Sequence, residues 1–217
     1  MLRYNKPKPA GRISRFFFPG RCPGCGLLFE GGFCEECAAT CVPDEKGFPD
    51  KPNYFALFNS SGAPKYAIYR LKFRYNPRSA VSLGDMLAKA AAERWPDIDI
   101  SAICYAPQNS KKRRRPYNHA ERLAKEVGRR LSIPVRGYLK RTRKSRLQHT
   151  LSASERRENV SGLYKVSGKI GGNVIFIDDI ITSGATAEES VRTLKSAGAE
   201  NVYVLSVLRA AEKNKAL

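Results

Sequence analysis

An α/β domain on a mainly parallel sheet, preceded by a small four-cysteine ribbon, is the fold this sequence predicts, and three observations carry the prediction. Val174–Leu208 holds a β-rich apolar run, a helical stretch and a second β-rich run within about 35 residues, the length of a βαβ unit, whose strands run parallel. Val174–Ile177 is apolar without alternation, as in a parallel strand buried on both faces. Five of the six cysteines fall between Cys22 and Cys41, four of them spaced C-x2-C-x8-C-x2-C, which is a zinc-ribbon pattern.

The elements follow in chain order. Met1–Gly20 is a basic arm with Pro7, Pro9 and Pro19, expected to be disordered at its start and to pack, if at all, through Phe16, Phe17 and Phe18. Cys22, Cys25, Cys34 and Cys37 then supply four thiolates, the tetrahedral set zinc prefers, while Gly24, Gly26, Gly31 and Gly32 permit tight turns. So short a segment buries too little apolar area to fold without such a staple. Disulfides are the alternative, disfavoured because no secretory signal is seen in Met1–Arg21. Cys41 reads as a spare thiol and Cys104 as a core residue. These parts form a first unit, 1–41, and the Pro-, Gly- and charge-rich segment 42–53 reads as a linker.

The main domain, 54–217, alternates strands and helices. Strands are expected at Tyr54–Asn59, Ala102–Ala106, Val174–Ile177 and Asn201–Leu208. Helices are expected near Ala63–Phe73, Ala80–Trp95, Tyr117–Leu131 and Thr186–Ala197. Ala120, Leu123, Ala124, Val127 and Leu131 keep the spacing of one helix face. Glu188 and Glu189 in a first turn, Lys195 in a last turn and Gly198 beyond it delimit the final helix.

The chain's 217 residues, 42% of them hydrophobic and 10% aromatic, suit one well-buried domain with an appendage and exclude disorder throughout. No apolar run reaches the ~18 residues of a transmembrane helix, so the sequence reads as cytosolic. Thirty-nine Lys and Arg against 20 Asp and Glu give a net charge of +19. That balance favours polyanionic partners: nucleic acid, anionic membrane or phosphorylated small molecules.

Against this charge, VIFIDDIITSGAT at Val174–Thr186 places two acids at the end of an apolar strand and follows them with small and hydroxyl residues. In open α/β sheets ligands bind beyond the carboxyl ends of strands. The loop then enters a helix, whose unpaired N–H groups and dipole favour a phosphate. Thr182, Ser183 and Thr186 add hydroxyl donors, Gly184 permits an N–H nest, and the small Ala185 lets the anion approach. It is neither a P-loop nor a dinucleotide fingerprint. Two carboxylates beside a phosphate cradle suit a sugar phosphate: Asp178 and Asp179 accept from vicinal ribose hydroxyls while the loop holds the 5′-phosphate.

On those thirteen residues the sequence resembles the phosphoribosyl pyrophosphate (PRPP) motif of type I phosphoribosyltransferases, which implies that fold and those roles for Asp178, Asp179 and Thr182–Thr186, with Mg²⁺ accompanying PRPP. The four-cysteine ribbon, LKFR at Leu71–Arg74, RRPYNHAERLA at Arg114–Ala124 and RTRKSRLQHTLSASERRENVSGLY at Arg141–Tyr164 extend the resemblance to ComF (ComFC) proteins of bacterial natural transformation. That family usually reads R-G-[FY]-N-Q-A-E before the helix; here Pro116 replaces Gly and His119 replaces Gln. The resemblance implies handling of incoming single-stranded DNA at the cytoplasmic face of the membrane, with DNA-uptake helicase and recombination-mediator partners.

A bound pyrophosphate needs cations, and Lys112, Arg113, Arg114, Arg141 and Arg143 are the candidates. One pyrophosphate needs only two or three, so Lys111, Arg115, Lys144, Arg146, Arg156 and Arg157 are left for a nucleic-acid backbone. Tyr4, Phe16–Phe18 and Tyr117 are candidate stacking residues; solvated surface charge is the alternative for any single cation. His149 reads as a loop residue, and no nucleophilic triad is arguable. The leading expectation is a PRPP- and DNA-binding protein. The rival is a Mg²⁺-dependent phosphoribosyltransferase acting on a purine-like base.

Overall fold

The computed structural model describes residues 2–6, 20–29, 31–73, 77–108, 117–142 and 161–210. A short helix α1 (Glu35–Ala38) lies in the cysteine unit, followed by β1 (Tyr54–Asn59), α2 (Gly62–Phe73), α3 (Pro77–Arg94), β2 (Ile100–Tyr105) and α4 (His119–Leu131). Then come β3 (Leu139–Arg141), β4 (Tyr164–Val166), β5 (Asn173–Ile181), α5 (Ala185–Ser196) and β6 (Val202–Arg209). The main sheet has the order β1-β6-β5-β2 and is parallel throughout. β3 and β4 form a separate antiparallel pair.

Two cores flank the sheet. On one side Ile175, Ile177, Leu205 and Val207 pack with Ala67, Ile68 and Leu71 of α2, Leu83 and Leu87 of α3, and Leu123 and Val127 of α4. On the other, Val174, Phe176, Val202 and Val204 pack with Leu194 of α5 and with Leu139 and Tyr164 of β3 and β4. β5 is therefore buried on both faces, as its uninterrupted apolar run requires. Cys104 is fully buried in the second core.

Local chemistry sets the boundaries of α4. Asn118 accepts from the Glu121 N–H at 3.3 Å, an N-cap that starts the helix at His119 rather than Tyr117. β5 runs past Ile177 through both acids, because Ile180 and Ile181 pair with Leu208 and Arg209 of β6. A side chain at Gly84 would meet Cβ of Glu126 at 2.6 Å, so glycine permits the close α3–α4 contact.

Residues 2–6 depart from the expected disorder. Leu2 is buried in the first core, and its N–H donates to Pro96 O at 2.8 Å. The Tyr4 hydroxyl donates to Asp85 at 2.8 Å. Asp85 also faces Arg130 of α4 at 2.7 Å, so the arm's first residues close over the α3–α4 pair.

Residues 42–44 are joined to the sheet. Pro43 bridges Phe58 in the antiparallel sense, the Asn59 N–H donates to Val42 O, and the Asp44 N–H donates to Leu57 O. Asp44, its side chain fully enclosed, receives two bonds of 2.7 Å from Arg209 Nε at the end of β6. The cysteine unit rests on α2 and α3: Arg70 donates to Cys25 O at 3.1 Å, Ser82 to Gly31 O at 3.2 Å, and Phe33 meets Phe58 edge-on.

Candidate functional site

The carboxyl ends of β2 and β5, the ends of α2 and β3, and the start of α5 converge on the two acids. Asp178 and Asp179 are consecutive on a strand, so their side chains leave it in opposite directions, and different elements serve them. Asp179, 7% exposed, receives Lys72 Nζ from the last turn of α2 at 2.7 Å. Asp178, half-buried, accepts the Asp179 N–H at 2.8 Å. Burial and then the neighbouring charge of Asp179 push the Asp178 carboxyl up to about 7, against the Asp179 N–H, Lys72 and Arg141. One acid is paired and the other is held near neutrality.

The loop after β5 ends at Gly184, which takes φ 76° as the N-cap of α5 and gives no side-chain bond to the first turn. The helix therefore begins with backbone N–H groups that no cap side chain occupies, the arrangement that favours an anion. Ala185 is buried, and Ser183, Gly184 and Thr186 are half-buried. Thr182 is exposed at the mouth.

Two cations that sequence reasoning missed stand here. Lys72 is one; its sole sequence signal was its place in LKFR. Lys51, from segment 42–53, pairs with Glu188 and lies 3.9 Å from the position a Cβ on Gly184 would take. Nothing in the sequence marks Lys51, because its position depends on a segment folding back along the sheet.

Of the predicted pyrophosphate cations, Arg141 is brought to the site. Its Nε donates to Pro107 O at 3.2 Å beyond β2, and its guanidinium lies over the Tyr164 ring. Tyr164 is 5% exposed, and its hydroxyl has no hydrogen-bond partner among the described residues. Burial pushes that hydroxyl up to about 12; Arg141 opposes the shift, and Asp178 and Glu189 add to it. Glu189, buried on α5, accepts the Gly162 N–H at 2.8 Å and so anchors the chain just before β4. Lys111, Lys112, Arg113, Arg114, Arg115, Arg143, Lys144, Arg146, Arg156, Arg157, Phe16–Phe18 and His149 lie outside the described residues.

Tyr4 and Tyr117 are not open stacking surfaces. Tyr4 is bonded to Asp85, and the Tyr117 hydroxyl donates to Leu71 O at 3.0 Å beneath Arg122. His119, at the family's Gln position, is buried against the Tyr117 ring.

The second cluster is the cysteine set. The sulfurs of Cys22, Cys25, Cys34 and Cys37 all lie within 4.8 Å of one another, with Cys25 and Cys34 3.7 Å apart. Tetrahedral zinc with bonds of ~2.3 Å separates its sulfurs by about 3.8 Å. None of the six cysteines is in a disulfide. Burial raises the Cys22 thiol, but N–H groups of Cys34, Cys25 and Gly24 outweigh it and lower the thiol to about 6. Burial and neighbouring thiols raise Cys37. Four cysteine sulfurs this close are a donor set that suits a tetrahedral divalent metal. Cys41 lies outside the set, donating to Cys37 O at 3.3 Å.

No family model matches the chain. Competence protein F of Haemophilus influenzae is 33% identical over 104 residues, 45% of this chain and 44% of that protein. The DNA utilization protein YhgH of Escherichia coli O157:H7 is 27% identical over 151 residues, 65% of each chain. Amidophosphoribosyltransferase of Escherichia coli K12 is 29% identical over 132 residues, 58% of this chain and 24% of that protein. The matched region thus spans less than two thirds of each relative's length. No helix among the described residues is long and apolar enough to cross a membrane.

Proposed function

We propose that the chain is a ComF-type protein, a four-cysteine unit joined to a phosphoribosyltransferase-type α/β domain, that it binds PRPP or a ribose 5-phosphate group together with single-stranded DNA, and that it serves in DNA uptake. The observation that carries the ligand is the sequence of groups along β5 and α5: two carboxylates, a left-handed glycine, and a helix start without a side-chain cap. The half-buried Asp178 and the Lys72-paired Asp179 accept the ribose hydroxyls. The N–H groups at Gly184–Thr186, with the hydroxyls of Thr182, Ser183 and Thr186, hold the 5′-phosphate, and Lys51 adds a cation at the loop.

Arg141, bonded to Pro107 O and near enough to lower the Asp178 carboxyl, is the cation assigned to the pyrophosphate. Mg²⁺ accompanying PRPP would help neutralise the pyrophosphate and would be held in part by a carboxylate of this site. Asp178 is suited to supply that carboxylate, because burial and like charge hold it near neutrality and an adjacent cation favours its ionised form. Cys22, Cys25, Cys34 and Cys37 hold structural zinc, and the net charge of +19 provides the attraction for a DNA backbone.

The test is a PRPP titration with Mg²⁺ against wild type and the double variant Asp178→Ala/Asp179→Ala. Binding is expected in the first and lost in the second; equal affinity overturns the ribose assignment. A single-stranded oligonucleotide is expected to bind with an affinity that falls steeply with salt, and no binding at low salt removes the DNA role. Pyrophosphate release on adding purine-like bases would instead establish the transferase reading.

A further inference from the structure

We infer that the outer face of α2 is a stacking platform for single-stranded nucleic acid that ends at the phosphoribosyl site; the inference rests on the DNA-binding reading above. The inner face of α2 is Ala63, Pro64, Ala67, Ile68 and Leu71, all buried. Its opposite face carries Tyr66, Tyr69 and Phe73, which are 64%, 51% and 50% exposed. Positions i, i+3 and i+7 form one stripe on a helix, so the three rings make a row. Tyr69 and Phe73 touch, with centroids 4.9 Å apart and planes tilted by 37°.

Helical rise places the three positions along roughly 10 Å, room for two or three nucleotides. The occupant follows from the chemistry beside the rings. α2 has no acidic residue; it carries Lys65, Arg70 and Lys72 among the aromatics, in the order Lys65-Tyr66, Tyr69-Arg70, Lys72-Phe73. A docking helix or an acyl chain is met by aliphatic residues, and this stripe has none. Aromatic rings flanked by cations, on a chain of net charge +19, match bases stacking while phosphates run along the side of the exposed Lys65. Lys65 lies exposed at one end. At the other, Lys72 reaches Asp179 at 2.7 Å and Leu71 O receives the Tyr117 hydroxyl. The row therefore leads into the site.

The experiment uses the full chain and fluorescence anisotropy of a labelled oligothymidine across a salt series, with PRPP affinity measured on each protein as the control for folding. Tyr66→Ala/Tyr69→Ala/Phe73→Ala is expected to weaken oligonucleotide binding at least tenfold with PRPP affinity kept. The salt slope is expected to stay the same, because the lost contacts are not ionic. Tyr66→Phe/Tyr69→Phe is expected to bind as wild type. If wild type binds and the triple alanine variant binds equally well, the platform is wrong and the DNA reading stands. The platform is also overturned if affinity falls with a reduced salt slope, or if the variant loses affinity only for a protein partner. Absence of wild-type binding at low salt overturns both.

Discussion

Asp178→Asn is expected to make the protein more stable in alkali and less able to bind its ligand. Burial and the adjacent Asp179 raise the Asp178 carboxyl from 3.8 to about 7. A folded-state value above the unfolded one means that the native protein holds a proton the unfolded chain releases. That stability is present below about pH 4 and is lost as pH rises through about 7. A displacement of about 3 pH units at ~1.4 kcal/mol each costs the folded state up to about 4 kcal/mol at pH 8, and about a third of that at pH 5. Asparagine has the size of the protonated acid and keeps an oxygen for the Asp179 N–H at 2.8 Å. At roughly 2–4 °C per kcal/mol for a chain of this size, the Tm gain at pH 8 should exceed that at pH 5 by roughly 5–10 °C. The assay is thermal unfolding of ligand-free wild type and variant at both pH values, followed by PRPP titration with Mg²⁺ at pH 8. An equal Tm change at both pH values, or a loss at pH 8, refutes the account of an uncompensated carboxylate. Gained stability with undiminished PRPP affinity refutes its assignment to the ribose.

Four further substitutions probe the surroundings. Lys72→Met removes a charge that lowers the Asp178 carboxyl and frees Asp179 of its partner at 2.7 Å, so the pH midpoint of PRPP binding by calorimetry should move upward; no movement would separate Lys72 from the site. Arg209→Met leaves the enclosed Asp44 carboxylate without its bidentate partner, a loss of about 3–5 kcal/mol that a urea midpoint will register, and a change below about 1 kcal/mol would show the pair to be dispensable. Cys37→Ser should release the zinc from a chain that otherwise carries about one per molecule, whereas Cys41→Ala, outside the sulfur cluster, should leave metal content unchanged.

The strands and helices of the main domain were legible because each carries a local signal, a continuous β-rich run such as Val174–Ile177 or the helical spacing of Ala120–Leu131. The β3–β4 pair was not: two three-residue strands with 22 residues between them have too little local pattern, and their pairing is a tertiary event. The end of β5 was not legible either: consecutive acids disfavour a strand by composition, and it is the pairing of Ile180 and Ile181 with β6 that carries the strand past them. The same division holds at the site. Asp178, Asp179 and the loop to Thr186 are contiguous and could be read together. Lys51 and Lys72 are two cations among 39, distinguished only by where a returning segment and a helix end deliver them. The exposed tyrosines of α2 are hidden for a related reason: a helix with apolar residues on two faces reads as buried, and only the fold shows that Tyr66 and Tyr69 are exposed.

The acid pair and the basic surface belong to one design in which α2 is the common element. Its apolar face fixes it on the sheet through Ala67, Ile68 and Leu71. Its last turn supplies the ammonium that permits Asp179 to sit almost fully buried, since a buried carboxylate without a partner is strongly destabilising. Among the described residues Asp178 has no such direct partner, only the more distant influence of Lys72 and Arg141 and one N–H bond, so its charge is costly in the absence of the proposed ligand. Compensating both acids would favour a stable, idle strand end. Compensating one keeps the fold, and on the proposed reading leaves the other to be compensated by the ligand. The lysine that does so is followed at once by Phe73, the last ring of the exposed row, so the proposed stacking surface and the proposed sugar-phosphate site meet on adjacent residues of a single helix.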